Sequence, residues 1–166
     1  MNSYAILETH PHQGLIDAMQ DIRSGMLGTE GSERPMQPMT HFPEWERNRL
    51  WFLTSRHSAL VQELIPGTRA NYCVMDPQAG FDACLIGMLS QDKDRAQLDA
   101  IWSPVAAAWF KGGKSDPDLT MLRLDLTEAA LWSNTNNVLN FGYEILKANL
   151  NPNAKPDLGV HKVLLF

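Results

Sequence analysis

Apolar positions along the chain fall into short runs that predict more strands than helices. Apolar residues recur at helical spacing over residues 13–23 and predict an N-terminal helix. Large apolar side chains fill residues 50–54 and predict a strand. Two further runs, 70–75 and 81–89, flank the turn 76–80 and predict a hairpin. The remaining predicted elements are strands at 25–29, 34–40, 119–126, 129–133 and 160–166, and helices at 59–65, 94–102, 104–110 and 136–150.

This order of elements predicts a sheet with peripheral helices rather than a βαβ alternation. Strands outnumber crossover helices, so an antiparallel sheet or small barrel fits the order better. The strand predicted at 34–40 carries Pro35 and Pro38, which places it at an edge or interrupts it with a bulge. A chain of 166 residues suffices for one sizeable core and is too short for two. We therefore expect a single domain over residues 1–166, with its core at about 13–165.

Composition and charge exclude several classes of protein. With 44% apolar and 20% charged residues, the chain does not resemble disordered, collagenous or coiled-coil proteins. A net charge of -5 argues against a dedicated nucleic-acid binder, which normally carries a basic field. No apolar run approaches the roughly 18 residues of a membrane span, and the start of the chain does not resemble a secretory signal. Two cysteines without C-x-x-C spacing favour a reducing, cytoplasmic compartment.

The polar motifs by themselves assign no catalytic or metal site. Lys111–Ser115 partly resembles a phosphate-binding loop, but the pattern needs a glycine where Ala108 stands, and the segment follows a predicted helix. We interpret it as a connector. The five histidines show no metal-ligand spacing. Cys73 and Cys84 fall on adjacent predicted strands, where buried inert thiols are favoured over a redox pair.

The segment Thr54–Ser58 is the strongest candidate for an anion site. It ends a predicted strand and opens a predicted helix, so it presents hydroxyls, free backbone N–H groups and the positive end of a helix dipole. Arg56 adds a charge-assisted donor suited to a phosphate. The alternative interpretation is a simple helix cap. The chain also has five tryptophans, which serve either a core or a flat aromatic cofactor.

Two segments, Arg34–Thr40 and Leu50–Ser58, resemble the flavin-binding core of the pyridoxamine 5'-phosphate oxidase-like split-barrel family. The resemblance extends from roughly Leu15 to Leu164 and is greatest with the general stress protein subgroup. The later segments keep the family's order: Phe81–Ser90, Ile101–Pro104, Ala107–Phe110, Asp116–Asp118 and Ala130–Trp132.

The resemblance implies a mainly β fold with peripheral helices, a six-stranded antiparallel split β-barrel that forms a homodimer and binds FMN, or else FAD, at the dimer interface. Arg34 stands where the family places a basic residue near the phosphate and ribityl chain, and the backbone of the next three residues pairs with the isoalloxazine edge. Trp132 matches a tryptophan that approaches the flavin of the other subunit; the alternative is a core tryptophan. The cofactor contacts implied are Arg34, Pro35, Met36, Gln37, Leu53, Thr54, Ser55, Arg56, Ser58 and Trp132.

Two departures from the family pattern bear on activity. Ala59 and Leu60 stand where the oxidase itself has a basic pair, and residues 151–166 lack its substrate-binding arginine motif. We therefore do not expect vitamin B6 oxidase activity. The resemblance leaves three hypotheses: a flavin-dependent oxidoreductase acting on a small molecule with a donor such as NAD(P)H, a non-catalytic flavin-storage protein, or the same barrel with deazaflavin or haem. No nucleic-acid or membrane partner is expected.

Overall fold

The computed structural model describes residues 3–134, 144–147, 149–151 and 159–166. The helices defined in these ranges are α1 (Ser3–Thr9), α2 (Pro11–Asp21), α3 (Ala59–Glu63), α4 (Arg95–Ile101) and α5 (Pro104–Trp109). The strands are β1 (Ser24–Thr29), β2 (Gln37–Thr40), β3 (Phe42–Glu44), β4 (Arg49–Ser55), β5 (Thr68–Asp76), β6 (Phe81–Asp92), β7 (Leu119–Asn134) and β8 (Gly159–Leu165). Single 3₁₀ turns lie at Trp45–Arg47 and Gly113–Ser115.

Local sequence signals placed several of these elements correctly. The predicted hairpin is β5 and β6, and the Asp76 carboxylate closes its turn by accepting the N–H groups of residues 78 and 79. The predicted start of α5 is confirmed, because the Ser103 hydroxyl accepts the N–H of Ala106 and Pro104 occupies the first turn. The connector predicted at Lys111–Ser115 is a turn that leads into β7.

Other element predictions need correction. The two strands predicted at 119–126 and 129–133 form one continuous strand, β7, because Thr127 and Glu128 supply neither a glycine nor a proline to end it. Helix α1 and the three-residue strand β3 were not predicted. Residues 136–143 and 148 of the helix predicted at 136–150 lie outside the described residues, while 144–147 and 149–150 are helical. No disulfide joins Cys73 and Cys84, as predicted, but both side chains are half-buried rather than buried.

The chain divides into two compact units. The larger unit comprises Arg23–Cys73, Leu85–Glu128 and Phe166. It contains β1 to β4 and parts of the three longest strands, namely residues 68–73 of β5, 85–92 of β6 and 119–128 of β7. These strands neighbour one another in the order β2-β1-β5-β6-β7-β4-β3. The β1–β2, β1–β5, β3–β4 and β4–β7 ladders are antiparallel. This unit therefore contains an antiparallel sheet whose end strands are β2 and β3.

The core of the larger unit is centred on the β4–β7 ladder. Phe52 lies opposite Leu122, and both side chains are fully buried. Strands β6 and β7 approach closely at Gly87, where an added Cβ would lie 2.2 Å from the carbonyl oxygen of Asp125. Only glycine fits that approach without a shift of backbone. Large apolar residues therefore fill the core at the β4–β7 ladder, and a glycine allows β6 to approach β7.

The smaller unit comprises the described parts of Met1–Ile22, Val74–Cys84 and Ala129–Leu165. Helices α1 and α2 pack against β8, which pairs with β7. Leu7, Leu15 and Met19 supply its buried apolar side chains from the two helices. None of the described helices combines the length and apolarity needed to span a membrane.

The fold class predicted from the sequence is confirmed as mainly antiparallel β with peripheral helices. The strand count differs, because eight strands rather than six occur within the described residues. The difference includes β3, which pairs with β4 through only three residues. The assignment of residues 1–166 to a single domain stays a prediction.

Candidate functional site

The segment Arg34–Gln37 leads into β2 at the end of the larger unit's sheet. Gln37 begins β2 and lies opposite Leu27 of β1. Because β2 is an end strand, one of its edges has no ladder partner among the described strands. Free N–H and C=O groups along such an edge are available to a ligand. Of the predicted ring-binding segment only Gln37 belongs to this strand, and the residues before it lead into the strand.

Arg34 is held by a carboxylate from the neighbouring helix. Its Nε lies 2.5 Å from Oε1 of Glu63, at the end of α3. The side chains are 58% and 50% exposed, and the Arg34 N–H donates to the Ser32 hydroxyl. Because solvent screens an exposed ion pair, it contributes little to stability. Arg34 can therefore exchange Glu63 for a more highly charged anion.

A cavity of about 10 Å³ lies beside this ion pair. Met36 reaches across β1 at Gly28, where an added Cβ would lie 2.8 Å from the Met36 Cγ. The absence of a side chain at Gly28 thus allows the segment to pack tightly against β1. Leu60 lines the same cavity, so the wall that α3 supplies is partly apolar. The cavity is lined by Gly28, Thr29, Ser32, Arg34, Pro35, Gln37, Leu60 and Glu63.

The second predicted segment runs from the end of β4 into α3. Leu53 is partly buried against an apolar cluster that contains Trp51, and Thr54 pairs with Thr120 of β7. The Ser58 hydroxyl accepts the N–H of Val61 at 3.3 Å, so the helix-cap interpretation is confirmed for this residue. The five residues of α3 carry only a small helix dipole.

The hydroxyl groups of Ser55 and Ser58 each accept a hydrogen bond within this segment and can still donate one. Ser55 Oγ accepts the N–H of His57 at 3.1 Å, just as Ser58 accepts an N–H of its own helix. A hydroxyl that accepts in this way still has its own proton to donate. Ser55 and Ser58 therefore keep the capacity to donate to an anionic oxygen.

Arg56 lines a different cavity from the one that Arg34 lines. Its backbone N–H donates to the carbonyl of Asp118 at 2.8 Å. Its exposed guanidinium has no hydrogen-bond or ion-pair partner within the described part of the chain. The next side chain, His57, lies with Nε2 3.1 Å from a carboxylate oxygen of Asp118. The structure thus brings Arg34, Pro35 and Gln37 together and gives Arg56 other neighbours.

Trp132 belongs to the smaller unit and lies on its surface. Its side chain is 39% exposed, while that of Leu131 is 1% exposed, as strand alternation predicts. The core alternative for Trp132 is therefore wrong. Its ring stacks on that of His161 in β8, with centroids 5.1 Å apart and planes 18° apart. The pair presents an aromatic surface to solvent.

A buried polar pair, missed in the sequence, anchors β2. The Tyr72 hydroxyl donates to the carbonyl of Met39 in β2 at 2.9 Å and lies 2.8 Å from Nδ1 of His41. Because the phenolic proton is directed at Met39, Nδ1 of His41 is the group that donates to the Tyr72 oxygen. Burial raises the pKa of Tyr72 well above its ordinary value, partly offset by a backbone hydrogen bond from Gly25.

Neither the pairing of His41 with Tyr72 nor that of Arg34 with Glu63 gives a signal in the sequence. His41 and Tyr72 are separated by 31 residues, and Arg34 and Glu63 by 29. Only the alternation of residues 70–75 could have pointed to Tyr72, because it places Tyr72 on the same face of the strand as Val74.

Comparison with known proteins assigns the family. The sequence model described as "Pyridoxamine 5'-phosphate oxidase like" matches residues 10–157. Among curated proteins, no sequence matches this chain. Many solved structures match this chain.

A candidate general stress protein 26 from Jannaschia sp. CCS1 is 34% identical, with 90% of this chain and 94% of that chain covered and a TM-score of 0.72. The general stress FMN/FAD binding protein from Xanthomonas citri is 35% identical, with 76% and 91% covered and a TM-score of 0.70. A pyridoxamine 5'-phosphate oxidase-related, FMN binding protein from Nostoc punctiforme PCC 73102 is 18% identical, with 76% and 86% covered and a TM-score of 0.56, and shares the fold. This chain belongs to the pyridoxamine 5'-phosphate oxidase-like family.

Proposed function

We propose that this protein is a homodimeric flavoprotein that binds FMN and acts as an oxidoreductase on a small molecule. The observation that carries the proposal is its 35% identity to the general stress FMN/FAD binding protein of Xanthomonas citri across 76% of this chain. FAD is the alternative flavin, since that relative's name includes both. Flavin, when bound, supplies hydride or single-electron transfer, while the protein binds and orients it.

The geometry of the larger unit supports a flavin beside the β2 edge. The isoalloxazine ring carries hydrogen-bond donors and acceptors along one edge, and the backbone of residues 35–37, which leads into the end strand β2, offers complementary groups. Arg34 supplies a guanidinium that suits a phosphate. The flavin contacts that we propose are Arg34, Pro35, Met36, Gln37, Leu53, Thr54, Ser55 and Ser58. Arg56 lines a second cavity and is not part of this set, and its role at the flavin stays a prediction from the resemblance.

Trp132 supports the dimeric part of the proposal. A tryptophan that is 39% exposed and stacked on a histidine offers an apolar face and an indole N–H to a ligand or a second copy. We propose that it contacts the flavin bound by the partner subunit.

Cofactor identity is tested on the purified protein. We expect a yellow protein with absorbance near ~450 nm, as bound flavins show, and mass spectrometry of the extracted ligand should return FMN. A colourless protein that takes up neither FMN nor FAD would refute flavin binding.

The phosphate contact is tested by substitution of Arg34. We expect Arg34→Ala to weaken FMN binding by roughly ten- to a hundredfold, because a charge-assisted contact is lost. Riboflavin, which lacks the phosphate, should bind equally well to both proteins. Arg69→Ala is the matched control, since Arg69 also forms an exposed ion pair, with Glu30. Equal FMN affinity in Arg34→Ala and Arg69→Ala would show that Arg34 does not hold the phosphate.

Turnover is tested separately from binding. Anaerobic addition of NADPH or NADH to the FMN-loaded protein should reduce the flavin, which is measured as a loss of its visible absorbance at a rate compatible with turnover. If FMN binds and neither donor reduces it, the protein binds flavin without acting as a nicotinamide-dependent reductase.

A further inference from the structure

A cavity of about 320 Å³ opens in the larger unit, and none of the residues that we assign to the flavin lines it. It lies between the end of β4, the start of α4 and the turn that precedes β7. Its volume reaches the lower end of the range for small-molecule sites, roughly 300–1,000 Å³. The cavity can therefore hold a molecule of about one ring with a polar head group.

The floor of the cavity is apolar. Leu98 and Met121 line it and are 7% and 4% exposed. They form one buried cluster with Trp51, against which Leu119 and Trp102 also pack. A ligand that covered the small exposed part of this floor would remove apolar surface from water, which favours binding.

The rim of the cavity carries basic side chains, two of which have no partner in an ion pair or side-chain hydrogen bond among the described residues. Four cationic side chains line it: Arg56, Lys93, Arg95 and Lys114. Lys114 is paired with Asp99 at 2.6 Å, and Arg95 donates to the carbonyl of Lys114 and to the Ser115 hydroxyl. For Arg56 and Lys93 the described residues provide neither an ion pair nor a side-chain hydrogen bond.

The three carboxylates that line the cavity are engaged within the protein. Asp92 pairs with Arg123, and Asp94 caps α4 by accepting the N–H of Gln97. Asp116 accepts the N–H groups of Asp118 and Gly112, and these bonds hold the pKa of Asp116 below its ordinary value. The carboxylate oxygens are thus directed at groups of the fold, whereas two cations remain available to a ligand.

We propose that this cavity binds a small organic anion, a phosphate monoester or a carboxylate, whose apolar body covers Leu98 and Met121. The planar guanidinium of Arg56 matches the two oxygens of such a head group, and Lys93 adds a second positive charge. The site shares no lining residue with the cavity beside Arg34. Its nearest approach to the proposed flavin contacts is the β4–β7 ladder, where residues 53–55 pair with the lining residues 119–121.

Isothermal titration of the full-length protein tests the proposal with three probes that share one ring: phenyl phosphate, benzoate and benzyl alcohol. We expect saturable binding of phenyl phosphate or benzoate at least tenfold tighter than that of benzyl alcohol, and the tighter of the two identifies the head group. Arg56→Ala and Lys93→Ala should each weaken anion binding about tenfold. Both positions are exposed, so the fold should survive, and Arg69→Ala should bind like the wild type.

A competition experiment separates this site from the flavin site. Saturating FMN should leave phenyl phosphate binding intact, Arg34→Ala should bind phenyl phosphate normally, and Lys93→Ala should bind FMN normally. Displacement of phenyl phosphate by FMN, equal binding of benzyl alcohol, or unchanged anion affinity in both Arg56→Ala and Lys93→Ala would each overturn the proposal. If FMN fails to bind while the anion binds with the expected variant pattern, flavin binding alone is refuted.

Discussion

Tyr72 links three elements of the larger unit through a single phenol. Its hydroxyl bonds to Met39 and His41, accepts a hydrogen bond from the backbone of Gly25, and lies at the end of a ring that packs edge-on against Phe52 at 5.1 Å. The residue is fully buried, so water cannot replace any of these bonds. Together with the β1–β2 ladder, this side chain helps to hold β2 and the segment proposed to face the flavin.

Tyr72→Phe should therefore destabilise the protein while keeping its shape. The change leaves His41 and the Met39 carbonyl without their buried partner, which costs roughly 1–3 kcal/mol of unfolding free energy. Chemical denaturation monitored by tryptophan fluorescence measures this loss. An unchanged free energy of unfolding would show that water or another group satisfies these atoms.

The raised pKa of Tyr72 also predicts a dependence on alkaline pH. In the unfolded chain the phenol ionises near pH 10, whereas in the folded protein burial keeps it neutral to higher pH. The stability that Tyr72 contributes is thus complete below about pH 10 and decreases as pH rises above it. Tyr72→Phe should lack this component of the decrease.

Trp132 provides a second prediction for a single residue. Because its side chain is 39% exposed, Trp132→Ala should cost less than the roughly 3–5 kcal/mol of a core tryptophan. If it contacts flavin, FMN binding should weaken while the fold survives. His161→Ala is the control, since it removes the stacking partner and leaves the indole in place. Unchanged FMN affinity in the folded Trp132→Ala protein would exclude the cofactor role.

At the scale of elements, features that neighbouring residues determine could be predicted from the sequence, whereas pairings between distant residues could not. Ser103 and Asp76 act within three residues of their own positions, so the cap of α5 and the turn of the hairpin could be predicted from sequence. The β4–β7 ladder joins Arg49 to Asp125, 76 residues apart, and no local pattern specifies such a pairing. For the same reason the sequence indicated Arg34 as a candidate but not the Glu63 that holds it.

The turn before β7 contains Asp116, and protonation of its carboxylate in acid should lower the stability of the fold. Asp116 accepts N–H groups from Asp118 and Gly112, and its pKa is lowered in the folded state. A lowered pKa means that the carboxylate stabilises the fold above the unfolded value of about 4 and stops doing so as pH falls below it. The stability difference between wild type and Asp116→Asn should therefore be full at pH 6 and shrink below about pH 4.

Thermal melts across that pH range measure this difference. Asp17→Asn is the control, because Asp17 bonds to the side chain of Gln13 within α2 and closes no backbone turn. A stability difference for Asp116→Asn that stays constant down to pH 3 would show that its charge does not stabilise the turn.

At the scale of the whole molecule, the exposed apolar side chains of the smaller unit bear on assembly. On β8, Val163 and Leu165 are 52% and 80% exposed, and they lie on the same face of the strand as His161, which stacks on Trp132. A face of this kind is stabilised by burial against a second copy.

Light scattering should accordingly give twice the chain mass of 18.6 kDa. Leu165→Glu should shift the protein toward the monomer, because a charge in an apolar interface is costly. Val105→Glu, at an exposed apolar position of α5 in the larger unit, is the control. A wild-type mass of 18.6 kDa at micromolar concentration would refute the dimer.

The long span of the β4–β7 ladder also has a consequence during synthesis of the chain. Arg49 leaves the ribosome 76 residues before its partner Asp125, which at typical rates of about 5–20 residues per second is a delay of roughly 4–15 s. Throughout that interval the large apolar residues Trp51 and Phe52 of β4 have no β7 to pair with. Nascent chains stalled shortly before residue 119 should therefore recruit chaperones that bind apolar segments, and chains stalled well beyond residue 128 should release them.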